Sequence, residues 1–380
     1  MKIAILTRTN AINFGTVLQA YALQRYLKKQ GYEVKTVDDS FPRQIYNNPT
    51  KTESRKVSFK EKIVLFIDGI KDRIKYARNI KLEKSIKVFK EKNMEYFYAK
   101  ELKDLNENFD VFISGSDQIW AYAAEPKMFP YFLLETIADL KIKASYAVSM
   151  GESQFPLEHK EKVASLLNRF DYLSVRENSS KGVLEQYTNK LINVSCDPVF
   201  LIDKEEWVNL AGKRKTKNNY VFCYFLGNHE WYWDKVAEVS KRLGCEVYVY
   251  QQRETKHSYQ AVHVCSPTEF LNYVEFAEFI VTDSFHGLCF SLIFEKQFCS
   301  LQRFVGEKNN TQNCRLIDLL GLANLSDKFL NEDSSFSNVN VDYRRVGEKF
   351  KTYIQQSKQY IETIVKSVPI GDKNGRKTEI

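Results

Sequence analysis

No stretch of the 380-residue chain holds 18 consecutive apolar residues, so no membrane-spanning helix is expected. The opening MKIAILTRTN has too short an apolar run for a signal peptide, and no small-residue cleavage site follows it. It reads as a first strand, and a cytoplasmic protein is expected. The seven cysteines include no C-x-x-C pair and their number is odd. Cys223 lies in the apolar run Val-Phe-Cys-Tyr-Phe, which predicts buried free thiols rather than disulfides or zinc ligands. The five histidines are scattered without metal-ligand spacing, so no metal is expected. The first strand-to-helix turn carries one glycine, not G-x-G-x-x-G, which removes the dinucleotide fingerprint. Internal repeats and low-complexity segments are also missing.

What is present is ordinary for a globular protein: 43% apolar and 27% charged residues. The length predicts two domains. The net charge of +8 is local, because residues 51–100 hold 15 Lys/Arg against 7 Asp/Glu while the rest balances at 41 of each. A nucleic-acid protein with a broad basic face is thereby disfavoured.

Residues 2–7 read as a strand, Val17 to Leu27 as a helix ended by Gly31, and Tyr32 to Val37 as a second strand, a β-α-β unit that implies a parallel sheet. The α/β rhythm continues through strands near 109–114, 144–148, 172–175 and 191–194, then restarts at Tyr220. The expected organisation is an N-terminal α/β domain over 1–203 with a basic helical insertion at 51–105, and a linker over 204–219. A C-terminal α/β domain over 220–342, a terminal amphipathic helix over 343–368 and a disordered tail over 369–380 follow. In the insertion, Ile63, Phe66, Ile67, Ile70 and Ile74 form one helical face with Lys and Arg opposite. That is either a solvated excursion or a dock for an anionic membrane surface or a lipid diphosphate. Two α/β halves with polar turns at their strand ends predict a cleft between them.

The most informative stretch is EFIVTDSFHGLCFSLIFEKQF, residues 278–298. Phe279 to Thr282 reads as a buried strand, Asp283 and Ser284 as N-cap residues, and Leu288 to Phe294 as a buried helix. His286 then sits at a helix N-terminus beyond a strand's carboxyl end, where open α/β sheets bind ligands and backbone N–H groups favour anions. Gly287, without a Cβ, allows close approach of a ligand to the backbone.

Five stretches occur in an order that resembles the polysaccharide pyruvyl transferase family. They are Asn13-Phe14-Gly15 with Leu18 to Leu23, Ser114 to Trp120, Ser174 to Glu177, Asp197-Pro198, and Thr282 to Gly287. The resemblance implies two Rossmann-like domains facing a cleft, as in GT-B-type glycosyltransferases. It also implies transfer of pyruvate from phosphoenolpyruvate onto a saccharide as a ketal, in capsular, exopolysaccharide or other cell-surface polysaccharide synthesis. Phosphoenolpyruvate is then a co-substrate, and no cofactor is expected. His286 matches the histidine implied to be the catalytic acid, and Arg176 the arginine implied to contact the donor, with Gly287 beside them. Many relatives carry an arginine where this chain has Ser284. Either Arg303 or Arg315 takes over that donor contact, or the donor sits differently.

The chemistry requires fixed positive charge for a donor with up to three negative charges, a proton for its methylene carbon, and deprotonation of sugar hydroxyls. Histidine suits the acid. Asp117 is the candidate base, or else caps its turn. Glu177 is expected to pair with a cation. Asn13, Gly15 and Ser116 line the acceptor side or are structural, and Asp197 shapes a turn. Trp231, Tyr232 and Trp233 are expected in the core. The acceptor is a saccharide, with a lipid-diphosphate link and contact at the inner membrane face left open. A nucleotide-sugar-dependent glycosyltransferase and a two-lobed saccharide-binding protein are the alternatives.

Overall fold

A computed structural model describes residues 1–46, 80–151, 155–251, 257, 259–261, 266–306, 313–335 and 340–367. The helical face from Ile63 to Ile74 and the 369–380 tail lie outside the described residues.

Two all-parallel sheets make two Rossmann-like domains. The first consists of β1 Lys2–Leu6, β2 Glu33–Val37, β3 Tyr96–Phe97, β4 Val111–Asp117, β5 Ile142–Val148, β6 Leu173–Val175 and β7 Ile192–Val194. Their order is β3-β2-β1-β4-β5-β6-β7. The second consists of β8 Tyr220–Phe225, β9 Glu246–Gln251, β10 Gln260–Ala261, β11 Phe279–Thr282, β12 Gln297–Leu301 and β13 Phe329–Leu330, in the order β10-β9-β8-β11-β12-β13. Helices cover both faces of the central strands, and every residue of β4 and β8 is buried, including the polar end of β4 at Ser114, Ser116 and Asp117. In each sheet the winding reverses once, between β1 and β4 and between β8 and β11. Each reversal opens a crevice at the carboxyl ends of the strands.

These two crevices face each other. The Phe14–Lys29 helix follows β1 and buries 13 of its residues, because the C-terminal domain covers the side that its own sheet leaves free. Phe14 packs on Phe270 and Tyr250, both at 5.4 Å between ring centroids. Burying such a ring stabilises by about 1.5–3 kcal/mol. The helix also buries Gln19 and Gln24 at no net polar cost. Gln19 Nε2 donates to the Thr16 carbonyl at 2.9 Å, and Gln24 Nε2 to Thr36 Oγ1 at 2.9 Å.

Three expectations change. Residues 204–219 are not a bare linker, since Lys204–Ala211 is a helix. Its lysines and acids hid a short apolar face. Fully buried Trp207 meets Tyr21 and Phe290 edge-on and donates its indole N–H to the Val199 carbonyl at 3.0 Å. The basic insertion is helical over 80–93, but Tyr96–Phe97 adds an edge strand. The terminal helix spans Glu348–Lys366 rather than 343–368, starting after Gly347. It packs back on the N-terminal domain, where Tyr360 donates to the Ser145 carbonyl at 2.9 Å and Ser357 Oγ accepts the Cys196 N–H at 2.9 Å. The aromatic trio at 231–233 is buried, as expected, and the described cysteines are free thiols.

Candidate functional site

Five segments from two domains converge. From the N-terminal domain come the turn into the Phe14–Lys29 helix, the end of β4, the residues after β6 and those after β7. From the C-terminal domain comes the turn between β11 and the Phe285–Ile293 helix.

Ser284 caps that helix, its Oγ accepting the Gly287 N–H at 3.3 Å. Asp283 ties the turn to the neighbouring strand end by accepting the N–H groups of Leu226 at 2.7 Å and Gly227 at 2.6 Å. A Cβ on Gly287 would fall 2.3 Å from Thr282 Oγ1, so this glycine lets the helix close on its own strand rather than admitting a ligand. His286 is thereby aimed across the interface. Its Nε2 lies 3.4 Å from Asp197 Oδ2, within ion-pair range but off hydrogen-bond geometry.

Arg176 reaches the same carboxylate oxygen, with its Nη1 at 2.8 Å. It also faces Asp117 Oδ1 at 3.8 Å and Glu177 Oε2 at 3.7 Å, and stacks 4.3 Å from the Phe285 ring centroid. Burial would raise the Asp117 and Asp197 carboxyls. Arg176 and His286 outweigh it, and both groups are held below the usual carboxylate range. The guanidinium is correspondingly pushed up despite its burial, by Asp197, Glu177 and Asp117. Asp117 sits at φ 77°, a left-handed conformation that Asp tolerates better than most residues, and its Oδ2 accepts from Thr16 Oγ1 at 2.6 Å. Glu177 Oε1 accepts from Ser149 Oγ and Ser180 Oγ, both at 2.7 Å.

Arg315, on the Cys314–Leu322 helix, is buried and makes no ion pair among the described residues. Burial and the positive Arg176 pull it down to about 10. It shares with Arg176, Asp197 and Phe285 a cavity of about 10 Å³, room for roughly one water. The expected cleft is closed at this point, with no room for a ligand larger than a water. Arg303 follows β12, stacks on Phe304 at 4.4 Å and contributes positive charge toward Arg315.

Of the residues expected on the acceptor side, Asn13 caps the Phe14–Lys29 helix. Ser116 is fully buried and donates to the Ala147 carbonyl at 2.6 Å. Gly15 has a sharper role, because a Cβ there would lie 2.1 Å from His286 Nδ1. Gly15→Ala is therefore expected to displace the imidazole. Turnover should fall at least tenfold while the melting temperature moves little, since alanine's helix preference of about 1 kcal/mol offsets the crowding. Steady-state kinetics beside thermal melts checks this.

Sequence reasoning missed Asp197 as the hinge of the cluster. It does shape its turn, with Oδ1 accepting the Val199 N–H at 3.1 Å, but its other oxygen joins Arg176 to His286. Its place three residues past the end of β7, as Arg176 follows β6, was the available signal. Thr16 and Phe285 were missed because only the folded chain shows what they touch.

No curated protein matches the chain. Among solved structures it is similar to UDP-GlcNAc 2-epimerase from Methanocaldococcus jannaschii in complex with UDP-GlcNAc and UDP, at TM-score 0.45 and 11% identity over 96% of this chain and 99% of that one. It is similar to UDP-GlcNAc 2-epimerase from Neisseria meningitidis bound to UDP-GlcNAc, at TM-score 0.43 and 12% identity over 96% of this chain and 100% of that one. A third is ADP-heptose lps heptosyltransferase II from E. coli, at TM-score 0.36 and 11% identity over 94% of this chain and 100% of that one. Among the described residues no helix is long and apolar enough to cross a membrane. A sequence model described as polysaccharide pyruvyl transferase matches residues 13–303, a span that takes in the whole cluster from Gly15 to His286, and the chain belongs to that family.

Proposed function

We propose that the chain moves the pyruvyl group of phosphoenolpyruvate onto two hydroxyls of a saccharide, forming a ketal and releasing phosphate, in the synthesis of a capsular or other cell-surface polysaccharide. The observation that carries this reading is Arg315. A buried guanidinium with no carboxylate in ion-pair contact among the described residues is costly, and an anionic ligand beside it lowers the cost. Arg303 and the N-terminus of the Phe285–Ile293 helix add to the positive pole.

In this reading the donor enters between the parted domains and its phosphate and carboxylate meet Arg315 and Arg303. Arg176 is already compensated by three carboxylates, so its task is to hold Asp197 and Phe285 around His286. A protonated His286 delivers its proton to the methylene carbon, leaving positive charge on the adjacent carbon. One sugar hydroxyl adds there, and its proton returns to His286. The C–O bond to phosphate then breaks, and the second hydroxyl adds as its proton passes to the departing phosphate. Asp117 is held too low to be an effective base near neutral pH, which suits it to electrostatic support of the site. The sequence so written calls for no metal or organic cofactor. The lysine-rich 51–100 segment is suited to a lipid diphosphate carrying the acceptor at a membrane face.

Thermal shift with phosphoenolpyruvate, UDP and GDP tests the donor. Selective stabilisation by phosphoenolpyruvate is expected, and stabilisation by a nucleotide alone would replace this reading with a nucleotide-sugar glycosyltransferase. Arg315→Met should remove the phosphoenolpyruvate shift while the unliganded variant melts no lower than wild type, because the substitution deletes an unpaired buried charge.

A further inference from the structure

A cleft of about 720 Å³ lies beside the cluster, at the carboxyl ends of β1 and β2, between the loop after β1 and the 80–93 helix. It is within the range of roughly 300–1,000 Å³ typical of ligand sites and far larger than the room around Arg315. Residues Thr9 to Ile12 form one wall. The same loop then continues to Asn13, which caps the Phe14–Lys29 helix, and to Gly15, which touches His286. Three Cα-to-Cα steps separate Ile12 from Gly15, no more than about 11 Å of chain. The loop that walls the cleft is thus the one that meets the imidazole, and parting of the domains would join the two spaces.

The cleft is built before any ligand arrives. Asp39 fastens its floor, accepting from Asn10 Nδ2 at 2.6 Å, from Arg43 Nε at 2.7 Å and from the Thr9 hydroxyl. Lys90 is fixed by donating to the Thr9 carbonyl at 2.6 Å and lies 5.2 Å from the Tyr96 ring centroid. Tyr98 stands beside Tyr96, with ring centroids 6.3 Å apart, and is 69% exposed. The charged lining is Asp38, Glu83 and Glu91 against Lys87 and Lys90, one negative charge in excess. That balance gives no home to a phosphate or a second carboxylate. Aromatic faces, a fixed carboxylate and a fixed ammonium instead match a ligand with apolar ring faces and many hydroxyls.

We propose that this cleft seats the acceptor glycan and takes a neutral saccharide, with Tyr98 as its stacking platform and Asp38 as an acceptor for its hydroxyls. The proposal rests on the pyruvyl-transfer reading for the meaning of "acceptor", but the binding site stands on its own geometry. It places the sugar in the N-terminal domain, away from the positive pole at Arg315, and leaves any diphosphate of a lipid carrier outside the cleft.

The test uses the full chain, with lactose, cellobiose, maltose and melibiose as probes, and glucose 1-phosphate as the anionic control. Saturation-transfer NMR reports sugar binding, and phosphoenolpyruvate thermal shift reports the donor separately. At least one disaccharide should bind wild type. Tyr98→Ala and Asp38→Asn should each weaken it roughly tenfold, with the phosphoenolpyruvate shift retained. Undiminished sugar binding in both variants, no binding by any disaccharide, or preference for glucose 1-phosphate would overturn the proposal. If the disaccharide signal behaves as expected but phosphoenolpyruvate does not bind wild type, the donor reading fails and the glycan cleft stands.

Discussion

His286→Ala and His286→Gln are both expected to lower pyruvyl transfer by about 10²–10⁴-fold, the usual worth of a positioned general acid. Glutamine keeps most of the side-chain volume between Gly15 and Asp197, so its loss of activity cannot be assigned to collapse of the interface. Phosphate release from phosphoenolpyruvate in the presence of acceptor measures the rate, and the phosphoenolpyruvate thermal shift confirms that the donor site persists. Turnover close to wild type in either variant would remove the proton-delivery role. The expected size of the effect follows from the geometry. His286 is a cluster residue that a single glycine makes room for, and it comes from the domain opposite Arg176.

The second large effect is on stability. Arg176→Met should cost about 3–5 kcal/mol, the range for removing one partner of a buried charge pair. The substitution leaves Asp117, Glu177 and Asp197 facing one another without their guanidinium and removes its contact with Phe285. The deficit should depend on pH with a definite sign. In the wild type, Asp117 and Asp197 have folded values below their unfolded values near about 3.9. Their contribution is therefore complete above that pH and is lost as pH falls through the depressed folded values. The gap between wild type and Arg176→Met should be widest near neutral pH and narrow below about pH 4. Urea melts of both proteins at neutral pH and near pH 3.5 decide it. A gap under about 1 kcal/mol, or one that does not change with pH, would mean that the cluster is not the electrostatic keystone described here.

Much of the fold was legible because local chemistry announced it. The first β-α-β unit was readable to within a few residues, from its apolar spacing and from Gly31 after the helix. The strand of residues 279–282 was readable from its β-branched run, and Ser284 as an N-cap from its type and place. Where the reading slipped, the local signal was weak or double. The Lys204–Ala211 helix was hidden because its charged first turn and the lysines that follow at 213, 215 and 217 mask the short apolar face that Trp207 anchors. The terminal helix was read too long because Tyr343 continues its apolar pattern, whereas its hydroxyl donates to the carbonyls of Ser291 and Lys296 on the C-terminal domain.

From the residues alone one could tell that two parallel-sheet halves exist, that their motifs resemble one family, and that His286 and Arg176 stand at strand ends. Periodicity, cap residues and turn residues act over a few positions, so a linear reading resolves them. Three things were decided only when distant segments met: the carboxylate that joins Arg176 to His286, the glycine that leaves the imidazole its space, and the Arg315 charge that makes no ion pair among the described residues. Each depends on contacts between groups up to a hundred or more positions apart, and burial and pairing at such contacts arise only when both domains are in place.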